Sequence, residues 1–483
     1  MTTFSQPRAA GILVALAVAA PTAVATAPPL AAQSYDRLSE ETREYVAVSA
    51  SVVALDNVRV IDGTGGPILD DQTVLLRDGR IAAVGPSSAV SVPEDAERHD
   101  LDGHTVIPGM VGMHDHLFYV AVGGRRVQAE YSGPRLYLGS GVTTVRTTGS
   151  ISPFADVHMK GRIDRGDAPG PRIHVTAPYI TGSTGAPHQA RVTSPEQARR
   201  FVEYWAAEGA TWLKAYTSIG SAELEAAIDE AHRLGLRVTG HLCSVSFQEA
   251  VALGIDNLEH GMLTASDFVP DKEPDRCPGG IMQQAGGSDP TGPIAQQTIQ
   301  AMVDAGVGLT STLSVYEAFF PDRPVVDDRT LYLMAPDLRE AYLDERGRIQ
   351  EVGPDPANFE NELRFEKAFV DAGGLLASGV DPTGNGGALP GFGNQRNLEL
   401  LVEAGLTTAQ AVQVVSANGA EILGVDDELG TVEAGKLADL IVLAGDLERD
   451  PSAIRAVRWV FKDGVGYDSV ELIEATRGLV GIR

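Results

Sequence analysis

The feature that most constrains the fold of this chain is a regular alternation of short apolar runs and helical stretches between residues 107 and 420. The runs after Gly109 that read as strands are GVTTVRTTG, RIHVTAPYITG, ATWLKAY, RVTGHL, NLEHG, GVGLTSTLS and GLLASGVD. Strand and helix alternate about eight times in this region, so the sequence predicts an α/β protein with a (β/α)8 TIM barrel at residues 107–420.

Two segments between the predicted strands indicate amphipathic helices. They are PEQARRFVEYWAAEG and SAELEAAIDEAHRLG, in which apolar residues recur with helical spacing. We expect Ser194 and Ser221 to be the N-caps of these helices. Gly235 is the expected stop of the second helix, because glycine readily adopts the left-handed conformation that ends many helices.

Hairpin-like sequence flanks the predicted barrel on both sides. Residues 52–106 read as short strands broken by turns at Asp62-Gly63 and Asp78-Gly79, and similar sequence returns at residues 421–470. Neither piece alone is large enough to bury a core. We therefore expect the two pieces to form one small β-sandwich domain built from both ends of the chain.

The first 32 residues have the layout of a secretory signal peptide. Arg8 is followed by an apolar core from Ala9 to Ala20 and by small residues up to Ala32. The apolar core is short for a membrane span, although an uncleaved anchor is the alternative. We expect cleavage near Ala32, export to the periplasm or the exterior, and no membrane segment in the mature protein.

Charge and cysteine content exclude several classes of function. The formal net charge is -27 and the pI is about 4.7, which argues against binding to nucleic acids or anionic membrane surfaces. We expect a small-molecule substrate as the partner, and a homo-oligomer is left open. With only Cys243 and Cys277, the chain is not a disulfide scaffold, and the sequence does not reveal whether the two cysteines pair.

The segment VIPGMVGMHDH places two histidines at the end of an apolar strand. Residues two apart in a strand point to the same face, so His114 and His116 converge while Asp115 points away. Four further potential ligands lie at other predicted strand ends. These are Lys214, His241, His260 and Asp381. A single such histidine is more often a hydrogen-bonded core residue, but this collection favours a metal site.

Lys214 is unusual because ATWLKAY places its ammonium group in an apolar strand. Burial disfavours the charge and lowers the pKa of the amine. A neutral amine can react with carbon dioxide, and the resulting carbamate can bridge two divalent metals. The alternative is an ordinary lysine that snorkels or forms a salt bridge at a strand end.

The order of these motifs resembles the amidohydrolase superfamily, in its imidazolonepropionase and Xaa-Pro dipeptidase-like branch. The matching motifs are Pro108-Gly109 followed by His114-Asp115-His116, Lys214, Gly240-His241, Glu259-His260-Gly261 and Ser378-Gly379-Val380-Asp381. The run from Gly430 to Leu443 resembles the C-terminal signature of the family. The resemblance extends from Val52 to Phe461, and it is the combination of motifs that makes it specific.

The resemblance implies a centre with two divalent metal ions, for which we expect Zn²⁺, although Mn, Co or Ni remain open. The implied ligands are His114, His116, Asp381 and carboxylated Lys214 at the first ion, and carboxylated Lys214, His241 and His260 at the second. A water that bridges the ions would lose a proton and attack the substrate carbonyl.

The resemblance, together with the spacing that puts Tyr216 on the same strand face as Lys214, suggests roles for three residues near the reacting bond. Asp381 would accept the proton of the attacking water and pass it to the leaving nitrogen. His188 would polarise the substrate carbonyl or hold a substrate carboxylate. Tyr216 would donate a hydrogen bond to substrate, with core packing as the alternative. Arg146 is either a substrate clamp or a buried partner of a carboxylate.

Amide hydrolysis is the expected reaction. Nucleobase deaminases of the superfamily carry a glutamate three residues after the histidine of the fifth strand, where this chain has Ser244. We expect a dipeptide, an N-acyl amino acid or a cyclic amide as substrate. Lactone or ester hydrolysis at the same site is an alternative, and a non-catalytic exported binding protein is another.

Two long inserts interrupt the barrel pattern, at Thr264 to Ile294 and Glu317 to Gln350. Both follow predicted strands, so they would emerge at the rim where barrel enzymes recognise substrate. They are either lids or surface loops without a role.

Overall fold

A computed structural model of the protein describes Met1 and residues 33–481. Residues 2–32 of the predicted signal peptide lie outside the described residues. The strands are β1 Val46–Val48, β2 Val52–Val60, β3 Leu69–Arg77, β4 Arg80–Pro86, β5 Glu97–Asp100, β6 His104–Pro108, β7 Met110–Asp115, β8 Phe118–Ala121, β9 Arg125–Gln128, β10 Val142–Thr147, β11 Arg172–His174, β12 Thr176–Thr181, β13 Ala190–Arg191, β14 Trp212–Ala215, β15 Arg237–Gly240, β16 Asn257–Glu259, β17 Gly308–Ser311, β18 Leu376–Ser378, β19 Leu440–Ala444, β20 Val457–Lys462 and β21 Val465–Asp468.

The α-helices alternate with the strands of the central region. They are α1 Glu40–Arg43, α2 Ser132–Gly139, α3 Pro153–Asp164, α4 Pro195–Ala207, α5 Ser221–Arg233, α6 Phe247–Ala252, α7 Ile281–Gly286, α8 Pro293–Ala305, α9 Leu313–Glu317, α10 Asp328–Leu333, α11 Pro336–Val352, α12 Ala357–Asp371, α13 Phe392–Glu403, α14 Thr408–Val415, α15 Ala417–Leu423 and α16 Ser469–Glu474. Among the described residues, no helix is both long and apolar enough to cross a membrane.

A parallel sheet of ten strands occupies the centre of the sequence. Its strand order is β11-β10-β7-β18-β17-β16-β15-β14-β12-β13. Strands β11 and β12 are separated in the chain by Val175 alone; β11 pairs with β10, and β12 pairs with β14. Each of the seven strand-like runs predicted after Gly109 contains at least one strand of this sheet.

Both ends of the chain contribute to a second sheet of nine strands. Its order is β1-β21-β20-β19-β6-β2-β3-β4, and β5 pairs with β2. The antiparallel pairing of β6 with β19 joins Val106 to Val442. The expected union of the two ends therefore takes place within one sheet, while its organisation as a sandwich and the predicted domain boundaries stay predictions.

The turn and helix signals have mixed outcomes. Asp78-Gly79 forms the tight turn between β3 and β4, with φ angles of 50° and 82°. The Ser194 hydroxyl accepts a hydrogen bond from Gln197 N and caps α4 as predicted. The prediction that Ser221 is an N-cap is wrong: Gly220 holds the cap position of α5, because the Ser221 hydroxyl instead donates to Asp275.

The two cysteines form a disulfide, which the sequence left open. Cys243 lies three residues after the end of β15, and Cys277 lies in the first insert, Thr264 to Ile294. That insert contains the short helix α7, whereas the second insert, Glu317 to Gln350, contains α10 and most of α11. The inserts therefore differ in structure although their compositions are similar.

Candidate metal centre and substrate cavity

The predicted donors all lie at the carboxyl ends of strands in the parallel sheet. His114 and Lys214 are the penultimate residues of β7 and β14, and His241 and His260 directly follow β15 and β16. Asp381 lies three residues beyond β18. Because parallel strands end at the same edge of a sheet, these side chains come together from distant parts of the sequence.

Asp381 occupies the middle of the histidine cluster. Its Oδ1 lies 3.3 Å from His116 Nε2, and its Oδ2 lies 3.6 Å from His114 Nε2 and 3.9 Å from His260 Nε2. The donor atoms of His114, His260 and Asp381 all lie within 4.8 Å of one another. His241 joins the cluster through its ring, whose centre is 4.5 Å from that of His260.

The chain reaches this arrangement through a close backbone approach. Asp381 N donates to His114 O at 2.8 Å, and a Cβ at Gly379 would clash with the backbone of His114. Glycine is therefore required between β18 and Asp381. His260 and Asp381 both adopt positive φ angles, 72° and 46°, which are uncommon for residues other than glycine.

The Nδ1 atoms of three histidines contact groups away from Asp381, which leaves each Nε2 facing it. Such contacts orient imidazole rings in metal sites. The contacts are His114 Nδ1 to Glu259 Oε2 at 2.7 Å, His116 Nδ1 to Gly149 O at 3.0 Å and His260 Nδ1 to Thr312 Oγ1 at 2.7 Å.

Glu259 is the hub of the buried polar network beneath the histidines. Besides His114, its carboxylate accepts a hydrogen bond from Arg146 Nη2 at 2.7 Å and another from the Thr239 hydroxyl. Burial alone would raise the pKa of Glu259, but the charges of Lys214 and Arg146 lower it below its ordinary value. Arg146 is thus the buried partner of a carboxylate, and it also stacks over Trp212 at 4.5 Å.

Lys214 lies in register with Tyr179 and Thr239 on the neighbouring strands. Its Nζ is 3.6 Å from Glu259 Oε1, and within the described part of the chain it has no hydrogen-bond partner. Burial lowers the pKa of Lys214 to about 8, although Glu259 opposes this shift. The lowered pKa expected for this amine from the sequence therefore agrees with the burial of Lys214 in the structure.

The donor set fits a divalent metal centre. Burial lowers the pKa of His114 and His260 well below the ordinary value and that of His241 to about 4, so these rings are neutral and can act as ligands. Asp381 stays ionised because His114 and His116 hold its pKa low despite its burial. His260 Nε2 is buried and, among the described residues, has no hydrogen-bond partner.

A cavity of about 470 Å³ opens beside this cluster. It is lined by five of the six predicted donors and by the two predicted substrate residues, His188 and Tyr216. His188 is half-buried in the loop after β12, with its ring 5.6 Å from that of Tyr179. Tyr216 lies between Tyr179 and His241, at ring distances of 5.2 Å and 5.0 Å. Both residues face the cavity but stand outside the donor cluster.

Sequence reasoning missed Arg126, which also lines the cavity. It lies in the hairpin β8–β9, directly opposite Val120. Burial is the main reason that the pKa of His188 is lowered, and the positive charge of Arg126 lowers it further. Within residues 33–481, no carboxylate lies within ion-pair distance of Arg126, which donates a hydrogen bond to Gly124 O at 3.2 Å. The adjacent Arg125 instead pairs with Asp337 at 2.8 Å.

Comparison with known proteins gives consistent matches. Residues 369–465 match the model of the amidohydrolase family. The imidazolonepropionase of Micrococcus luteus is 23% identical over 409 residues, which cover 78% of this chain and 88% of that protein. A Xaa-Pro dipeptidase structure with bound methionine has a TM-score of 0.64 at 21% identity, covering 86% of this chain and 100% of the other. Bottromycin amidohydrolase has a TM-score of 0.65 at 21% identity, with coverages of 90% and 94%.

These neighbours imply the TIM-barrel fold of the metallo-dependent hydrolases, which agrees with the parallel sheet and the donor cluster at its edge. Over most of its length the chain is similar to the amidohydrolase superfamily, in the branch of the imidazolonepropionases and the Xaa-Pro dipeptidase-like proteins, and these likenesses support a hydrolase that acts on carbon–nitrogen bonds. The alternative of a non-catalytic binding protein is therefore set aside.

Proposed function

We propose that the protein cleaves the amide bond of a small substrate that carries a free carboxylate, such as a dipeptide, an N-acyl amino acid or a cyclic amide. One observation carries this proposal: the cavity that contains the donor cluster also contains Arg126, a guanidinium without a carboxylate partner among the described residues. A substrate carboxylate is the natural partner of such a group. His188 and Tyr216 line the same cavity and would share its binding.

Two divalent ions, Zn²⁺ in our proposal, would be held by the six predicted donors. His114, His116, Asp381 and carboxylated Lys214 would bind one ion, and the carbamate of Lys214 with His241 and His260 would bind the other. The three Nε2 atoms that face Asp381 support this assignment. Bound divalent ions supply a Lewis acid that polarises the carbonyl and lowers the pKa of water.

The carbamate forms when the neutral amine of Lys214 attacks carbon dioxide. A bond forms between Nζ and the carbon, and the nitrogen loses a proton to solvent. The pKa of about 8 supports this step, because a useful fraction of the amine is neutral near neutral pH. In the complete site, Arg146 offsets the charge of Glu259, which would otherwise repel the carbamate.

Asp381 is proposed as the residue that moves the proton. Its carboxylate, centred among three imidazoles, accepts a proton from the attacking water and delivers it to the leaving nitrogen. Burial raises the pKa of Tyr216 to about 12, so its hydroxyl keeps its proton and can donate a hydrogen bond to substrate. His188 would hold the substrate carboxylate together with Arg126, since both line the cavity.

We further propose that the parallel sheet closes into an eight-stranded barrel through Val175. Strands β11 and β12 act as one strand in this arrangement, since one pairs with β10 and the other with β14. The remaining pairings run without interruption from β14 to β18 and back to β7. The terminal sheet would be the expected β-sandwich.

The test is a substrate screen on zinc-loaded protein with dipeptides, N-acyl amino acids, cyclic imides and lactones, combined with metal analysis. We expect about two metal equivalents per chain and hydrolysis of amides with a free carboxylate, with a large loss of kcat/KM when that carboxylate is methylated. Turnover of lactones alone would establish the ester-hydrolase alternative. Equal turnover of acids and methyl esters would overturn the carboxylate requirement.

We also propose that the protein is exported. The Cys243–Cys277 disulfide supports this proposal, because disulfides persist in oxidising compartments and are rare in the cytosol. N-terminal sequencing of the protein recovered from the extracytoplasmic fraction should give a mature start near residue 33. An intact Met1 in the cytosolic fraction would contradict export.

A further inference from the structure

The first insert, Thr264 to Ile294, supplies part of the wall of the cavity. Ile281 and Met282, at the start of α7, line the cavity and are half-buried. Helix α7 packs on the turn Gly261–Thr264, which directly follows His260. A Cβ at Gly286 would meet the side chain of Leu263, which shows how closely the helix approaches this turn. The insert therefore reaches the site from the side of His260.

The cavity is lined by apolar side chains as well as by the cationic Arg126. A series of neighbouring rings runs through the site in the order His188, Tyr179, Tyr216, His241, His260, Tyr316 and Phe319. His188 lies at the first end of this series and Phe319 at the other, and the charge of Arg126 acts on His188. For a substrate whose carboxylate contacts Arg126 and whose amide lies at the donors, we expect the acyl part to contact the apolar side chains of the same cavity.

Several attachments fix the part of the insert that precedes α7. Asp267 accepts hydrogen bonds from Phe247 N at 2.8 Å and from Gln248 N at 3.1 Å. Lys272 forms an ion pair with Glu249 at 3.0 Å, and Asp275 accepts a hydrogen bond from Ser221 N at 2.7 Å. The disulfide joins Cys277 to Cys243. The disulfide is the last of these along the chain and the one covalent link.

The segment between the disulfide and the wall is short, and its Gly279 O accepts a hydrogen bond from Gln284 Nε2 at 2.8 Å. Only Pro278, Gly279 and Gly280 separate Cys277 from Ile281. A Cβ at Gly279 would meet no atom within 4 Å, and Gly280 adopts a φ of 68°. Two consecutive glycines give the backbone great freedom, so Ile281 is held on one side by the anchor at Cys277 and on the other by helix α7, whose Gly286 O accepts from Asn361 Nδ2 at 2.8 Å.

We propose that the Cys243–Cys277 disulfide is a specificity-determining element that positions Ile281 and Met282, so that the site selects amides with a large apolar acyl group. This inference rests on the proposed amide hydrolysis with a bound carboxylate. Cys243 lies two residues after His241, so the link joins the wall directly to a strand end of the donor cluster. The disulfide acts through the two apolar residues and is a positioning element.

The test compares the wild type with the double variant Cys243→Ser/Cys277→Ser on a series of N-acetyl, N-hexanoyl and N-decanoyl derivatives of one amino acid. The double variant is needed because a free Cys243 thiolate near His241 would itself bind zinc. Each buried methylene strengthens binding about fourfold, so loss of about two methylene contacts should raise KM for the decanoyl substrate roughly 15-fold. The KM for the acetyl substrate and all kcat values should change less than about twofold.

Met282→Ala, with the disulfide intact, should lower the chain-length preference in the same direction. Ile294→Ala is the matched control, because Ile294 is an exposed apolar residue at the end of the same insert and does not line the cavity. It should leave the preference unchanged. If the double variant keeps the full preference for long acyl groups while hydrolysing amides, the inference is wrong.

Hydrogen exchange of the zinc-loaded protein separates this inference from the proposed function. Exchange at residues 278–286 should increase in the double variant, with metal content unchanged. If the wild type hydrolyses none of the amides, the proposed function fails, and the exchange result still decides whether the disulfide holds the wall. Unchanged exchange in this segment would overturn the positioning role.

Discussion

The floor and the mouth of the cavity are built in opposite ways. The floor consists of Glu259, Arg146, Thr239 and the strand-end donors, which are buried and held by strands in fixed register. The mouth consists of Arg126, which is exposed on a hairpin, and of His188, Ile281 and Met282, which are half-buried on a loop and an insert. Disturbing the floor should therefore affect metal binding and chemistry, whereas disturbing the mouth should affect substrate choice.

The largest expected effect comes from Lys214 in the floor. Lys214→Ala removes the proposed carbamate, and kcat/KM should fall by at least about 10³-fold because two ions lose their shared ligand. Acetate or propionate should restore part of the activity by occupying the vacated space. Steady-state kinetics with and without added acid provides the measurement.

Lys214→Arg is the matched control for this experiment. It keeps a positive charge in the strand but cannot form a carbamate, and its larger side chain leaves no space for an added acid. It should be inactive and should not respond to propionate. Full activity of the unrescued Lys214→Ala variant would disprove the bridging role.

Substitution of Glu259 tests how far metal binding at the floor depends on this buried carboxylate. Glu259→Gln weakens the contact that orients His114 and leaves Arg146 without its buried carboxylate. Metal affinity should fall about 10- to 100-fold. A competition assay with a zinc chelator measures this change. Because an unpaired buried arginine is destabilising, the variant Glu259→Gln/Arg146→Met should recover stability without recovering affinity.

Glu362→Gln is the control. Glu362 is as deeply buried as Glu259, and it accepts a hydrogen bond at 2.8 Å from Leu263 N in the turn Gly261–Thr264. Burial and the nearby Glu366 raise its pKa well above the ordinary value, so the side chain is neutral and glutamine replaces it with little change. Its metal affinity should match the wild type. Equal affinity of the Glu259→Gln variant would show that the floor does not orient His114 through this carboxylate.

Arg126 tests the mouth. Arg126→Gln should raise KM for substrates with a free carboxylate roughly 10- to 30-fold with little change in kcat, since a charge-assisted hydrogen bond contributes about 1.5–2 kcal/mol. Arg125→Gln is the matched control, because Arg125 pairs with Asp337 and does not line the cavity. A proportional loss for the methyl esters of the same substrates would argue that Arg126 does not bind the carboxylate.

The smallest expected effect concerns the pH at which the site is assembled. Metal-free protein supplied with citrate-buffered zinc at constant dissolved carbon dioxide should activate about tenfold faster at pH 7 than at pH 6. The reason is that only neutral Lys214 reacts, and its lowered pKa of about 8 puts its titration just above this range. The rate should level off above pH 8. An activation rate that is constant from pH 6 to pH 8 would contradict the proposed titration.

The sequence predicted the floor better than the mouth. His114, His116, Lys214, His241, His260 and Asp381 were found because each polar residue ends an apolar run, and parallel strands end at a common edge. The choice of Ser221 as a cap failed because a residue of the first insert, Asp275, hydrogen bonds to it. Local sequence cannot report such a long-range contact.

The residues of the mouth had no comparable signal. Arg125 and Arg126 are neighbours in VGGRRV, and only the pairing of β8 with β9 decides which of them faces the cavity. The disulfide was equally hidden, since it requires the first insert to return to the end of β15. Glu259 was visible as part of a motif, but its role as a hub depends on Arg146 from a strand more than 100 residues earlier.

The pairing of β6 with β19 has a consequence for biosynthesis. Every strand that carries a predicted donor lies between these two strands in the chain. At about 5–20 residues per second, the roughly 340 residues between Val106 and Val442 take about 20 to 70 s to translate. Throughout that interval the nascent polypeptide exposes an unpaired strand edge, which invites aggregation and makes a chaperone useful until the last strands emerge.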